Sequence, residues 1–228
     1  MINLQKLIEN IKNEPKLSLG SLSVELLSVF IRGYVFAQLD FGILPTNTIS
    51  IPSKFNEWVC QELKIENITL SWVKIIILFS SNSVEAFRLF EQLFAKFCQV
   101  HKELFKSAQR QKLPSEIPIP TLNSVIMRVK PCPAIYLEFW SLSRMYVFLN
   151  GYLKACEEFS SFSEEIRREM DDFASWLAKK FEKEIEIYPK CSWHNILLLF
   201  YPNEETALEQ FFIYYDKYLF EQSLDQRS

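Results

Sequence analysis

Apolar positions recur along this chain with the spacing of helices rather than of strands. Leu4, Leu7, Ile8 and Ile11 lie three or four residues apart, and Pro15 then stops the run. Leu122 to Val129 reads the same way and is stopped by Pro131 and Pro133. A short extended piece is expected next, Lys16 to Gly20 in the first case and Ala134 to Glu138 in the second. Long helices follow over about Ser23 to Leu39 and Ser141 to Phe159; Val29, Phe30, Gly33, Tyr34 and Ala37 form the stripe of the first. A short third element, Phe55 to Leu63 or Phe173 to Phe181, turns Trp58 or Trp176 inward.

The stretch from Ser71 to Asn82 reads SWVKIIILFSSN, and that from Ser192 to Asn203 reads SWHNILLLFYPN. The β-branched run Ile75 to Phe79 is compatible with a strand, but its Leu-rich counterpart Ile196 to Phe200 favours a helix. Ser71 and Ser192 are suited to cap that helix, since a hydroxyl accepts from exposed backbone N–H groups. Asn82 followed by Glu85 is a capping-box pattern, and Asn203 with Glu204 and Glu205 opens a helix likewise. The last helix of each set carries rings along one face: Phe87, Phe90, Phe94 and Phe97, then Phe211, Tyr214, Tyr215 and Tyr218.

These parallels are one repeat. At an offset of 118 residues, 9 of the 28 positions from 11 to 38 are identical, among them Gly33–Tyr34 with Gly151–Tyr152. Phe55 and Trp58 fall on Phe173 and Trp176 at the same offset. After a three-residue insertion the offset becomes 121, and Ser71–Trp72 meets Ser192–Trp193. Collinear matches with a single gap indicate duplication of a unit of roughly 110 residues. The expected fold is all-α: two tandem homologous units of about five helices each, packed with pseudo-two-fold symmetry. Residues 1–111 form the first unit, 112–120 (KLPSEIPIP) a Pro-rich linker, and 121–228 the second. A mid-helix glycine at the same place in both units predicts a close helix crossing, since glycine costs about 1 kcal/mol there relative to alanine.

Composition narrows the chemistry. Hydrophobic residues make up 49% and charged residues 23%, a globular balance. With 4 Gly in the chain, folds built on glycine-rich turns or phosphate-cradling loops are disfavoured. A net charge of −3 gives no general attraction to nucleic acid or to an anionic membrane. The longest unbroken apolar run falls far short of the ~20 residues that span a bilayer. Five cysteines, none in a C-x-x-C pair, and no signal-peptide pattern are expected of reduced thiols in a cytoplasm.

Catalytic and metal-binding signals are missing. His101 and His194 have no His, Cys or Glu at ligand spacing, so no metal site and no cofactor are expected. No nucleophile elbow, zinc-protease, P-loop or dinucleotide motif occurs, so no catalytic residue is assigned.

The units differ in two places. Glu157, Glu158, Glu164, Glu165, Glu169, Asp171 and Asp172 stand against two arginines, a local charge of −5 in what reads as a Ser-rich connection. Such a patch steers basic partners, although solubility alone accounts for it as well. Glu91 and Gln92 become Phe212 and Ile213, which turns an exposed helix face apolar, with Phe212 and Tyr215 as candidate partner anchors. Packing inside the molecule is the simpler cover for that face.

A helix, a turn, a Gly-Tyr pair in a long helix, Phe-x-x-Trp and Ser-Trp together resemble a group of small bacterial proteins whose turn reads Pro-Gly-Met-Tyr-Leu-Gly. Here the turns are Pro15 to Gly20 and Pro133 to Glu138; both lack the first glycine, and the second lacks the last. Such proteins resemble immunity proteins of contact-dependent growth inhibition and related toxin systems. The resemblance implies a non-enzymatic, cytoplasmic inhibitor that binds a basic cognate toxin domain, often a nuclease. The alternative is a structural or regulatory helical protein that self-associates through FFIYYDKYLF.

Overall fold

The computed structural model describes residues 4–13, 15–42, 50–66, 69–102, 121–159, 163–181 and 191–225; the linker at 112–120 lies outside them. The described residues form helices and turns with no strand. The helices are α1 (Leu4–Asn13), α2 (Pro15–Leu19), α3 (Val24–Asp40), α4 (Ser50–Glu62), α5 (Trp72–Leu78) and α6 (Ser83–Val100). They continue as α7 (Leu122–Val129), α8 (Pro133–Leu137), α9 (Leu142–Phe159), α10 (Ser163–Phe181), α11 (Trp193–Phe200) and α12 (Glu204–Asp225). The fold is all-α.

The local signals act much as their chemistry requires. Ser23 accepts from the Leu26 backbone N–H at 3.3 Å, and Ser71 from that of Lys74 at 3.4 Å. Asn82 accepts from Glu85 N–H at 3.0 Å, while Glu85 reaches back to Ser81 N–H, one residue before the cap. Asn203 accepts from Thr206 N–H at 2.9 Å. Ser192 begins α11 without a side-chain cap bond; its hydroxyl lies 2.9 Å from His194 Nδ1 instead. A reciprocal capping box that the pattern did not announce joins Thr121 and Ser124 at the start of α7.

Three expectations are corrected. The pieces Lys16 to Gly20 and Ala134 to Glu138 are not extended: they fall in α2 and α8. Proline at the first position of each presets φ for a helix and has no N–H to lose there. Each short helix ends on a positive φ, +75° at Gly20 and 67° at Glu138. Second, the third element is longer than its aromatic core: α4 has 13 residues and α10 has 19. Its most buried ring is the phenylalanine, with Phe55 and Phe173 at 2% and 1% exposure, while Trp58 and Trp176 are half-buried. Third, among the described residues six helices precede the linker and six follow it, against about five expected for each.

Among the described residues, α3 and α9 make the most extensive contact between helices. A Cβ on Gly33 would fall 1.9 Å from the Phe148 carbonyl oxygen, and one on Gly151 would fall 2.0 Å from that of Phe30. The two backbones therefore touch, and no side chain fits between them. Tyr34 on α3 donates to Glu158 at 2.6 Å, and Tyr152 on α9 donates to Asp40 at 2.8 Å. Asp40 also takes both ends of Arg128 from α7, at 2.6 and 2.5 Å.

An aromatic cluster lies to each side of this crossing. Phe55 is ringed by Trp58, Trp72, Phe90, Phe94 and Phe97, with centroids 5.3 to 6.2 Å away. Phe173 is ringed by Trp176, Trp193, Phe211, Tyr215 and Tyr218, at 5.3 to 6.4 Å. Offset and edge-on pairs at these distances add to the burial of the rings themselves. The stripes on α1 (Leu7, Ile8, Ile11) and α7 (Leu122, Val125, Ile126, Val129) close the core.

Candidate functional site

The acidic residues do not occupy a loop. Glu157 and Glu158 end α9, and Glu164, Glu165, Glu169, Asp171 and Asp172 lie on α10. Helix continues through most of the segment because Ile166, Met170 and Phe173 supply a buried stripe at helical spacing. Glu164 and Glu165 sit in the first turn of α10, where the helix dipole favours negative charge.

Three of the seven are spent on the fold. Glu157 pairs with Lys154 at 2.9 Å and with Arg167. Glu158 accepts the Tyr34 hydroxyl. Glu169 accepts from the Leu122 backbone N–H at 3.0 Å and so satisfies the start of α7; burial raises its pKa above the usual carboxylate value. The other four, Glu164, Glu165, Asp171 and Asp172, are exposed and make no ion pair among the described residues.

Phe212 and Tyr215 are not exposed anchors. They are 6% and 2% accessible, packed against Phe211, and Tyr215 also meets Phe173. The turn of α12 that carries them faces α9 and α10, so their rings belong to the core. What α12 does expose is Ile213, Phe220 and Leu224, at 44%, 65% and 49%.

The two histidines are structural in their surroundings. His101 is the C-cap residue of α6 and lies with its ring centroid 4.7 Å from that of Phe97. His194 stacks on Tyr146 at 3.8 Å, and burial depresses its pKa to about 4, so the imidazole is neutral. All five cysteines are free; Cys132 and Cys191 are exposed. Among the described residues no three His, Cys, Asp or Glu side chains are grouped to hold a metal ion. None of the described helices is long and apolar enough to cross a membrane.

One concavity escaped the reading of the sequence. A cavity of about 340 Å³ opens between α3, α5, α6 and α8. Ser28, Ile31, Val35 and Leu39 form its α3 wall, and Trp72, Phe90 and Phe94 face them. Tyr136 and Phe148 close one end, 6.0 Å apart. Arg32 and Glu138 line it as an ion pair, and Arg144 binds the other oxygen of Glu138 at 3.0 Å. The volume is that of a small-molecule site, mostly apolar with a few polar groups converging on it. The stripe read from the sequence of α3 runs through Val29, Phe30, Gly33, Tyr34 and Ala37, so Ile31, Val35 and Leu39 were not singled out, and periodicity alone does not reveal what stands opposite them.

No protein-family model, no curated protein and no solved structure matches the chain.

Proposed function

We propose that the chain is a tandem duplication, two helical units related by a pseudo-two-fold axis between α3 and α9, and that it works as a non-enzymatic inhibitor. Its partner on this reading is a toxin domain with a basic surface, often a nuclease, bound and neutralised in the bacterial cytoplasm. Reciprocity at the crossing supports the duplication: Gly33 meets Phe148 as Gly151 meets Phe30, and Tyr34–Glu158 mirrors Tyr152–Asp40. The observation that carries the inhibitor reading is the set of four outward carboxylates on α10 with no ion pair among the described residues. An inhibitor of this kind needs a rigid charged surface, and it needs no reacting group of its own.

The test is binding to the toxin domain encoded beside this gene. Changing Glu164→Gln, Glu165→Gln, Asp171→Asn and Asp172→Asn together is expected to slow association and flatten its salt dependence. Unchanged association and salt dependence would remove the assigned surface; no binding at all would remove the inhibitor reading.

The exposed stripe Ile213, Phe220 and Leu224 on α12 favours a second reading, self-association. A sedimentation coefficient that rises with protein concentration supports it, and a strict monomer excludes it.

A further inference from the structure

At the offset of 118 residues Ser28 aligns with Tyr146, and at 121 Val73 aligns with His194. Ser28 and Val73 both line the cavity. Their counterparts are bulky rings stacked on each other, with centroids 3.8 Å apart and planes 23° from parallel. Trp193 meets Tyr146 edge-on at 5.8 Å, and the tryptophan that aligns with it, Trp72, lines the cavity. The second half thus supplies from its own sequence a ring pair where the first half has a hydroxymethyl and an isopropyl group.

From this we infer that the cavity is a ligand site for a neutral, planar heteroaromatic molecule of one or two rings. The walls supply ring faces and edges: Phe36, Trp72, Phe90, Tyr136 and Phe148 surround the space. Aromatic pairing at such sites adds to the area buried. The polar groups select among aromatic ligands. In the second half the Ser192 hydroxyl lies 2.9 Å from a ring nitrogen of His194. The aligned Ser71 also lines the cavity; its oxygen accepts from the Lys74 N–H, which leaves its proton to donate to a ring nitrogen. Ser28 adds a second hydroxyl on the α3 wall.

Charge complementarity argues for neutrality. Arg32 is tied to Glu138, and Arg144 is tied to Glu138 and, at 3.7 Å, to Glu25. Two cations and two anions cancel, so an ionised ligand gains no counter-ion without breaking an existing pair and is disfavoured by desolvation. The pair instead ties Glu138, the residue that ends α8, to Arg32 on α3. This inference uses the alignment of the two halves but not the toxin-binding role, and each can fail without the other.

Benzimidazole, neutral at pH 7.5 and bearing one acceptor and one donor ring nitrogen, is the probe, with indane as its nitrogen-free analogue. Titration by calorimetry and ligand-observed NMR is expected to give a Kd of about 1 mM or tighter for benzimidazole and at least about tenfold weaker binding of indane. Ser71→Ala, which touches only a cap and the cavity wall, is expected to weaken benzimidazole about tenfold and to leave indane unchanged. The double change Ser28→Tyr with Val73→His transplants the ring pair and is expected to abolish binding; Ser28→Phe alone provides the same block if the double variant does not fold. Absence of benzimidazole binding to the natural chain overturns the inference. So does binding that survives both blocked variants, or indane binding as tightly as benzimidazole.

Discussion

The Tyr34 hydroxyl donates to Glu158 at 2.6 Å across the contact between α3 and α9, and burial with that carboxylate pushes the phenol pKa well above its usual value. Its counterpart Tyr152 donates to Asp40, but Asp40 is also held by both ends of Arg128. The two phenols are therefore not equivalent. Tyr34→Phe removes this 2.6 Å bond across the contact and is expected to cost about 1–3 kcal/mol. Tyr152→Phe is expected to cost less, because Arg128 still satisfies Asp40. Urea denaturation of the two variants checks the order; equal or reversed costs would show that Arg128 does not compensate.

Gly33→Ala places a methyl carbon 1.9 Å from the Phe148 carbonyl oxygen, so backbone must move. A loss of about 3 kcal/mol or more is expected, and the same for Gly151→Ala. Both substitutions force apart one crossing, so the double variant is expected to lose less than the sum of the two. Denaturation midpoints of the single and double variants give the coupling directly.

His194 has a folded-state pKa of about 4, below the ordinary histidine value of 6.5, because its ring is buried against Tyr146. The unfolded chain therefore takes up this proton at a higher pH than the folded chain does. Stability from this group is fully present above pH 6.5 and is lost as the pH falls toward 4, by about 3 kcal/mol. Replacing His194 by Phe is expected to remove that part of the acid sensitivity. The check is the difference in stability between pH 7.5 and 4.5, compared for the natural chain and the variant.

Cys132 and Cys191 are exposed, whereas Cys60, Cys98 and Cys156 are buried. Burial raises the Cys98 and Cys156 thiols to about 12, which suppresses the reactive thiolate at neutral pH. A thiol reagent is expected to titrate two groups rapidly in the native protein and three more on unfolding. Rapid reaction of more than two would mean that the core opens readily.

Neutralising Glu164, Glu165, Asp171 and Asp172 is expected to lower the association rate with a basic partner about tenfold at low salt and to leave stability nearly unchanged. Stopped-flow association across a salt series measures both slopes.

Much of the fold was legible because it rests on short-range signals. The stripes of α1 and α7, the caps at Ser71 and Asn82, and the paired glycines were all read directly from the sequence pattern. The helix at Trp72–Leu78 was ambiguous from its β-branched run alone and was decided correctly by its Leu-rich counterpart. Less was legible of the site. The acids from Glu157 to Asp172 read as one patch, yet a buried stripe at Ile166, Met170 and Phe173 makes most of the segment helical and divides them. Phe212 read as outward because Glu91 aligns with it, but α12 turns that position toward its neighbours.

Periodicity and self-similarity were enough to set the helical class and the place of the close crossing, but not the short helices α2 and α8, which read as extended. Which carboxylates are free, which rings are buried and where a cavity opens depend on groups distant in sequence. Glu169 is consumed by a backbone N–H at Leu122, Glu158 by a phenol at Tyr34, and Ser28 lines a cavity whose other walls come from α5, α6 and α8. Those pairings exist only once the helices have packed, because hydrogen bonds and packing act over a few ångströms while the partners lie dozens of residues apart.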